Sequence, residues 1–316
     1  MPDHGRTLTF GYFLVPNVDD PLLAIAQEAE RRGLDYLGVQ DHPYHPRYVE
    51  SWVLMSMIAA STSRIGLFSD VANLPLRPPA TLAKAAASLD VLSGGRFDLG
   101  LGAGAYWDAI EAFGGPRRAP KDALAALAES IEIIRLLWSG EGNLRHEGSH
   151  YRLAGARSGP VPAHDIGVWL GVYGPRAIEL TGRIADGWVP SLRGDLQSIL
   201  DMSARLDDAA AAAGRNPGAI RRVLNVHGEI TGGTAGGSAT GGNASGGFVG
   251  GLEGMLRGPV ERWVDELSQL ALGPGFDTFV LWADDYAQLA VYAEEVVPAI
   301  RHQVAKERGV GDDARA

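Results

Sequence analysis

Short apolar runs alternate with amphipathic runs along almost the whole chain. Eight runs of four to eight residues have the composition of buried parallel strands. A run with the apolar period of a helix follows each of them. Eight such units within about 300 residues predict a closed (β/α)8 TIM barrel, whose usual size is about 250 residues plus insertions. The predicted strands are Leu8–Leu14, Tyr36–Gln40, Ile65–Asp70, Phe97–Leu101, Gly167–Leu170, Gly187–Pro190, Val223–Ile230 and Asp277–Leu281.

The main alternative to the barrel is an open, doubly wound sheet. That fold normally has a glycine-rich phosphate-binding turn after its first strand, whereas the first predicted strand here runs into Val15-Pro16-Asn17. The barrel is therefore favoured, and it directs attention to the loops that follow the C-terminal ends of the strands. We expect residues 1–316 to form a single domain, because barrels of this length usually do.

Proline and glycine mark the ends of the predicted helices, and two segments interrupt the alternation. The connection Glu141–Asp165 contains His146-Glu147-Gly148-Ser149-His150-Tyr151, which suggests a small hairpin. Residues 231–251 are rich in glycine, after the seventh strand, and have the composition of flexible coil. A lid over the active face and a solvated insertion both remain open for this loop. The predicted helices include Leu22–Arg32, Thr81–Leu92, Ala123–Trp138, Ala177–Ala185, Leu196–Ala213 and Pro259–Leu272.

The amino-acid composition and net charge argue against several classes of protein and site. The chain has no cysteine, which rules out disulfides, thiolate metal sites and a cysteine nucleophile. Its net charge of −10 argues against a nucleic-acid-binding surface. The start of the chain lacks an apolar signal core, and no apolar stretch reaches the roughly 18 residues of a membrane span. We therefore expect a cytoplasmic protein that acts on small molecules.

Asp41-His42 directly follows the second predicted strand and is the strongest candidate for proton transfer. An imidazole titrates near pH 6.5, which suits a general acid or base, and Asp41 either orients it or holds the loop. Two imidazoles in Asp41-His42-Pro43-Tyr44-His45 could also be interpreted as metal ligands. The i, i+3 spacing on a proline-interrupted loop and the lack of a clear set of further ligands argue against a metal site.

Four segments in order resemble the bacterial luciferase-like superfamily of flavin- and deazaflavin-dependent oxidoreductases. They are Asp41-His42, the loop Leu74–Pro79, the string Gly95–Gly104 and the segment Leu180–Trp188, and the resemblance spans residues 8 to about 302. It implies that the mouth of the barrel binds FMN or the 5-deazaflavin coenzyme F420. The implied chemistry is hydride transfer or, with FMN, oxygen activation. Side chains alone cannot carry out hydride chemistry, so a cofactor is required.

The turn after the fifth predicted strand is the candidate phosphate site. It reads Tyr173-Gly174-Pro175-Arg176 and opens a helix, whose free N–H groups suit a phosphate. Gly174 permits close backbone approach, Pro175 suits the first helical turn and Arg176 adds a charge. The resemblance also places the coenzyme phosphate at this turn.

The resemblance implies two further cofactor-binding elements. The first is Asp70-Val71-Ala72-Asn73, where related enzymes have a bulged third strand with a non-proline cis peptide behind the ring; that bond would be Asp70-Val71. The second is Gly102-Ala103-Gly104, which would place small residues beneath the ring edge.

The resemblance favours F420 over FMN. Many F420-dependent members carry Asp-His after the second strand, as Asp41-His42 does, whereas FMN monooxygenases often have Glu-His-His there. Arg47, Arg77 and Arg176 are candidates to meet the acidic tail of F420. The prediction is F420-dependent hydride transfer with a small organic substrate. An FMN-dependent monooxygenase is the alternative, and a cofactor-free or metal-binding barrel is a second one.

Aromatic residues stand near the expected substrate position. In deazaflavin sugar-phosphate dehydrogenases of this superfamily a glutamate follows the fourth-strand glycines, but here the sequence continues Ala105-Tyr106-Trp107. A sugar phosphate is therefore in doubt, and Tyr44, Tyr106 and Trp107 suggest a more apolar substrate. Luciferase-like barrels are usually dimers, so we expect a homodimer through the helices Tyr48–Ala60 and Pro79–Leu92.

Overall fold

The core of the chain is a closed barrel of parallel strands, which confirms the predicted (β/α)8 fold. A computed structural model describes residues 3–192, 196–232 and 256–309. The barrel strands are β1 (Thr9–Leu14), β2 (Tyr36–Val39), β3 (Gly66–Ser69), β5 (Phe97–Gly102), β8 (Val168–Leu170), β9 (Gly187–Trp188), β11 (Arg221–Ile230) and β13 (Thr278–Trp282). They pair in chain order, β9 pairs with β11, and β13 pairs with β1 to close the ring.

Five further strands accompany the barrel: β4 (Ala72–Asn73), β6 (Leu144–Glu147), β7 (Arg152–Ala156), β10 (Ser191–Leu192) and β12 (Leu256–Gly258). β6 and β7 form an antiparallel hairpin, as the sequence suggested. β4 pairs with β5, and both β10 and β12 pair with β11. The sequence did not predict β4, β10 or β12, which have two or three residues and lie outside the apolar runs that mark the barrel strands.

Helices surround the barrel, and those that were predicted by range from the sequence are all present. They are α1 (Leu22–Arg31), α2 (Ser51–Ser61), α3 (Pro79–Ser93), α4 (Trp107–Ala112), α5 (Pro120–Trp138), α6 (Pro175–Ile184), α7 (Leu196–Ala212), α8 (Val260–Leu272), α9 (Gln288–Val291) and α10 (Val297–Glu307). Gly94 ends α3 in the left-handed conformation with φ of 75°, as a helix-stopping glycine should. A π-helical turn, Tyr292–Val296, joins α9 to α10.

Side chains fill the lumen of the barrel, so it is a packed core and not a pore. The apolar lumen residues are Phe13, Phe68, Trp169, Val189, Val223 and Val280. At the start of β11, the Arg221 guanidinium lies over the rings of Tyr36 and Trp169, at 5.7 and 5.6 Å. This packing closes the N-terminal end of the lumen and leaves the C-terminal end for a site.

Three expectations go beyond what the structure describes. From residue 233 onward, the glycine-rich segment 231–251 lies outside the described residues. In the parts of the chain that are described, no helix has the length and apolarity of a membrane span. The single-domain organisation and the cytoplasmic location stay predictions.

Candidate active site at the C-terminal mouth of the barrel

One cavity of about 980 Å3 lies where the loops after β2, β4, β5 and β8 meet α5 and α6. Its volume is that of a site for a cofactor or a drug-sized ligand. Ala105, Lys121 and Arg183 also contribute to its wall. The predicted site residues in the wall are Asp41, His42, Tyr44, Val71, Ala72, Asn73, Gly102, Ala103, Gly104, Trp107, Tyr173, Gly174, Pro175 and Arg176. The structure thus brings together residues that are far apart in the sequence.

Asp41 holds the loop that follows β4. Its fully buried carboxylate accepts hydrogen bonds from the Asn73 N–H at 2.9 Å and from Nε and Nη2 of Arg77 at 2.6 and 2.7 Å. Arg77 also pairs with Glu50, whose side chain caps α2. Of the two roles considered for Asp41, these contacts support holding the loop.

His42 belongs to a cluster of three rings at the edge of the cavity. Its ring centroid lies 5.4 Å from that of Tyr44 and 5.4 Å from that of Tyr106, and the two tyrosine rings are 6.5 Å apart. Burial, together with the nearby Tyr106 and Asp41, raises the pKa of the Tyr44 phenol. Tyr44 is therefore a neutral hydrogen-bond donor at physiological pH.

Tyr106 is not in the cavity wall, but its ring lies beside those of His42 and Tyr44, which line the cavity. It precedes α4 with φ of 45° and ψ of 51°, a left-handed conformation that is uncommon for a bulky residue. Such outliers cost about 1–3 kcal/mol and cluster at functional sites. Trp107, the next residue, lines the cavity directly.

Val71 forms part of the cavity floor. The peptide bond between Asp70 and Val71 is cis, at the position that the resemblance indicated. A Cβ at Gly102 or Gly171 would lie 2.9 or 2.8 Å from Cγ2 of Val71. These glycines therefore make room for the valine at the ends of β5 and β8. Asp70, predicted to bind the cofactor, instead turns its side chain into the lumen, where Oδ1 accepts a hydrogen bond from Asn225.

The turn before α6 has the form of an anion site. Gly174 has φ of 86° and ψ of 153°, and a Cβ there would meet nothing within 4 Å, so its backbone faces open space. Pro175 is the first residue of the helix, so the site combines free N–H groups with the positive end of the helix dipole. Within the residues that the structure describes, Lys121, Arg176 and Arg183 of the cavity wall have no carboxylate at ion-pair distance.

Two of the three arginines predicted to meet an acidic tail are already paired. Arg47 pairs with Asp19, and Arg77 pairs with Asp41 and Glu50. Arg176 alone of the three lines the cavity.

Residues 10–228 match the sequence profile of luciferase-like monooxygenases. The chain belongs to the luciferase-like family. It is 35% identical over 208 residues to the F420-dependent hydroxymycolic acid dehydrogenase of Mycobacterium tuberculosis, covering 63% of this chain and 56% of that protein. It is 32% identical over 233 residues to an F420-dependent glucose-6-phosphate dehydrogenase of Kineococcus radiotolerans, covering 71% and 68%. The chain thus spans 56% and 68% of the lengths of these two relatives. The similarity confirms the predicted resemblance to the F420-dependent branch.

Solved structures share the luciferase-like barrel. An F420-dependent secondary alcohol dehydrogenase in complex with an F420-acetone adduct superposes with a TM-score of 0.78 at 18% identity, over 93% of this chain and 99% of that one. The coenzyme F420-dependent tetrahydromethanopterin reductase from Methanopyrus kandleri superposes with a TM-score of 0.77 at 20% identity, over 93% and 100%. At such identities the likeness establishes the fold alone.

Several residues of this luciferase-like barrel were missed or left open by sequence reasoning. Lys121 and Arg183 lie on helices α5 and α6, and no motif marks them as cavity residues. The ring of His227 on β11 lies beside that of Trp282, with centroids 4.7 Å apart, and its Nε2 lies 3.4 Å from Oδ1 of Asp284. The side chain of His146, on the hairpin, is only 12% exposed and lies against α5.

Among residues 3–192, 196–232 and 256–309, no group of three or more His, Asp or Glu side chains is placed to hold a metal ion. The Asp41 carboxylate, which directly precedes His42, is hydrogen-bonded to Arg77 and Asn73.

Proposed function

We propose that the protein is an F420-dependent oxidoreductase that transfers a hydride between the deazaflavin and a small organic substrate. One observation carries the proposal. The Val71 floor, the Gly174 turn and His42 line a single cavity in a chain whose relatives include enzymes named for F420. When bound, the deazaflavin would supply the hydride chemistry, and the protein would supply binding and orientation.

The cavity residues fit a phosphate-bearing, planar cofactor. The open space at Gly174 and the free N–H groups of α6 suit a phosphate. Arg176, Arg183 and Lys121 would neutralise phosphate and carboxylate charge. Val71, Gly102 and Gly104 would offer a flat apolar surface to a ring. Each of these assignments is part of the proposal.

His42 is proposed to hold or move a proton at the substrate. It lies on the cavity wall beside two phenols, and it directly follows Asp41, which is hydrogen-bonded to Asn73 and Arg77. In this arrangement Asp41 holds the backbone, and the His42 imidazole is the proposed general acid or base.

The substrate is proposed to be uncharged and largely apolar. Tyr44 and Tyr106 lie beside His42, and Trp107 lines the same cavity. Ala105 stands where a carboxylate would be expected for a sugar phosphate. The cations of the wall lie on α5 and α6, where the cofactor phosphate and tail are expected. A ketone or a secondary alcohol with an apolar substituent fits these surroundings.

Side-by-side titration with F420 and FMN tests the cofactor. We expect micromolar or tighter binding of F420 and weaker binding of FMN, followed through quenching of tryptophan fluorescence. Trp107 lines the cavity, so Trp107→Phe should lose part of the quenching signal while other tryptophans keep theirs. Tight FMN binding without F420 binding would replace this proposal with the FMN-dependent monooxygenase.

The protein is further proposed to form a homodimer through α2 and α3. Val53 and Met57 on α2 are 63% and 52% exposed, and Leu92 at the end of α3 is 85% exposed. Large apolar side chains gathered on neighbouring helices are typical of an interface.

A further inference from the structure

A hydrogen bond joins opposite walls of the barrel lumen. Oδ1 of Asp70, just after β3, accepts a 3.0 Å hydrogen bond from Nδ2 of Asn225 on β11. Three strands separate β3 from β11 in either direction around the ring. The same amide nitrogen lies 3.4 Å from the hydroxyl of Ser191.

The lumen around this bond is tightly packed. Asp70 is 7% exposed and Asn225 is 2% exposed. A Cβ at Gly38 of β2 would lie 2.7 Å from Oδ2 of Asp70 and 2.6 Å from the ring of Phe68. The carboxyl fits because residue 38 is glycine. Within the described residues, Oδ2 of Asp70 and Oδ1 of Asn225 have no hydrogen-bond partner.

The segment that carries Asp70 also carries the cavity floor. The Asp70 N–H donates to the Val39 carbonyl of β2 at 2.7 Å, and the Ser69 hydroxyl donates to the Gly100 carbonyl of β5 at 2.7 Å. Val71 follows directly and packs against the glycines of β5 and β8. The neighbouring strands thus hold the backbone on two sides, and the bond to Asn225 holds it from across the lumen.

We propose that Asp70 is a positioning residue, whose carboxyl, bonded across the lumen to Asn225, fixes the Val71 floor against which the cofactor ring binds. This inference rests on the proposed function, because it assigns the ring to Val71. Asp70 does not touch the cavity, so its effect is carried through the adjacent residue.

The charge state of Asp70 supports this role. Burial raises the pKa of the Asp70 carboxyl to about 7, although the hydrogen bond from Asn225 opposes the rise. The groups that face the carboxyl are Gly38, Phe68, Asn225 and the nearby Ser191, and none of them carries a charge. A neutral carboxyl keeps the bond to Asn225 without a buried charge, whereas an ionised one leaves Oδ2 charged and unpaired.

The affinity of matched variants for F420 tests the role of the hydrogen bond between Asp70 and Asn225. Asp70→Ala removes it and should raise the Kd of F420 about tenfold or more, whereas Asp70→Asn retains an acceptor and should stay within about threefold at pH 6. Between pH 6 and 9 the wild-type Kd should rise relative to that of Asp70→Asn. The titration of F420 itself is common to both proteins, so the difference between them isolates Asp70.

A double variant that exchanges the side chains of Asp70 and Asn225 keeps the proposal testable if Asp70→Ala fails to fold. Asn225→Asp places two carboxyls opposite each other and should weaken F420 binding, and the double variant Asp70→Asn with Asn225→Asp should restore it by reversing the pair. Val280→Ala, which removes lumen packing from β13, is the matched control and should leave the Kd unchanged.

A second readout needs no cofactor. The folded-state pKa of Asp70 is raised, so its contribution to stability is complete below pH 4 and is lost as the pH rises through about 7. The free energy of unfolding of the wild type should therefore fall relative to that of Asp70→Asn between pH 4 and 7. Above pH 7 the difference between the two should stay constant.

The outcomes separate the two proposals. Wild-type binding of F420 with no change in Asp70→Ala, or no rescue by the exchange, would overturn the positioning role alone. Binding of FMN only would overturn the F420 proposal, and the same variants would then be judged by their Kd for FMN. Binding of neither cofactor would overturn both.

Discussion

Side chains at the mouth of the barrel divide into those that hold the backbone and those that face the cavity. Asp41 and Arg77 hold the loop after β4, whereas His42 and Tyr44 face inward. Sequence reasoning found Asp41-His42 from its place after a strand. It could not choose the role of Asp41, because its partner Arg77 is 36 residues away and no local pattern links the two.

His42→Ala should lower turnover by about 10²–10⁴, the usual contribution of a positioned acid or base. The Kd of F420 should change much less, since the cofactor contacts are assigned to the β4, β5 and β8 loops. His45→Ala is the matched control: His45 stacks on Tyr48, with centroids 3.8 Å apart, outside the cavity wall. The measurement is steady-state reduction of an apolar ketone by reduced F420, with binding followed separately. Loss of binding with unchanged turnover at saturation would make His42 a binding residue.

His164, which the sequence did not single out, supports the opposite end of the barrel. Its ring lies between Asp98, at 3.7 Å, and Asp90, at 2.6 Å, and these carboxylates raise the pKa of His164 to about 9, although partial burial opposes the rise. Asp90 is fully buried and also accepts the N–H groups of Ala163 and His164. Of the two carboxylates, the closer Asp90 makes the clear hydrogen bond.

The stability of the protein should therefore fall above neutral pH. A raised histidine pKa gives a contribution that is complete below about pH 6.5 and is lost as the pH rises through about 9. Urea unfolding of the wild type and of His164→Gln at pH 6, 7.5 and 9 measures this, and the difference between the two should shrink toward pH 9. A constant difference across this range would show that the imidazolium does not stabilise the fold. This window lies above that of Asp70, so the two effects are separable.

At the scale of elements, the alternation of strands and helices located all eight barrel strands to within about two residues. Buried parallel strands are apolar along their whole length, so their signal is strong. The sequence predicted neither β4 nor the hydrogen bond between Asp70 and Asn225. β4 has only two residues and is defined by its pairing with β5, whereas the hydrogen bond depends on which side chains face each other across the barrel. Periodicity encodes neither. The turn before α6 was found because glycine followed by proline at a strand-to-helix junction has a local physical meaning.

Arg176→Gln should raise the Kd of F420 about tenfold, or about 1.4 kcal/mol, because Arg176 is positioned at the positive end of α6 without a carboxylate partner among the described residues. Added salt should reduce the difference in the Kd of F420 between Arg176→Gln and the wild type. Arg152→Gln is the control, since Arg152 pairs with Glu147 on the hairpin. Equal affinity of Arg176→Gln and the wild type at low salt would remove this turn as the anion site. Gly174→Val is less informative, because φ of 86° strains any side chain there and stability would fall as well.

At the scale of the whole molecule, α2 is the exception among the surface helices. A helix that packs on one side only should have a polar outer face. α2 buries Leu54, Met55 and Ile58 against the barrel, yet Val53 and Met57 on its other side are exposed. α3 packs beside it and ends in Val91 and Leu92, which are also exposed. A helix that is apolar on both sides is typical of one buried in an assembly.

Sedimentation of the purified protein at micromolar concentration should therefore show a dimer, and the double variant Val53→Glu with Met57→Glu should sediment as a monomer. The two residues are one helical turn apart, so they lie on one face, and two charges there would have to be desolvated in an interface. Val161→Glu is the matched control: Val161 is 55% exposed on the loop after β7, so it should leave the dimer intact. A wild type that stays monomeric would reject the interface. A double variant that stays dimeric would move the interface to another surface.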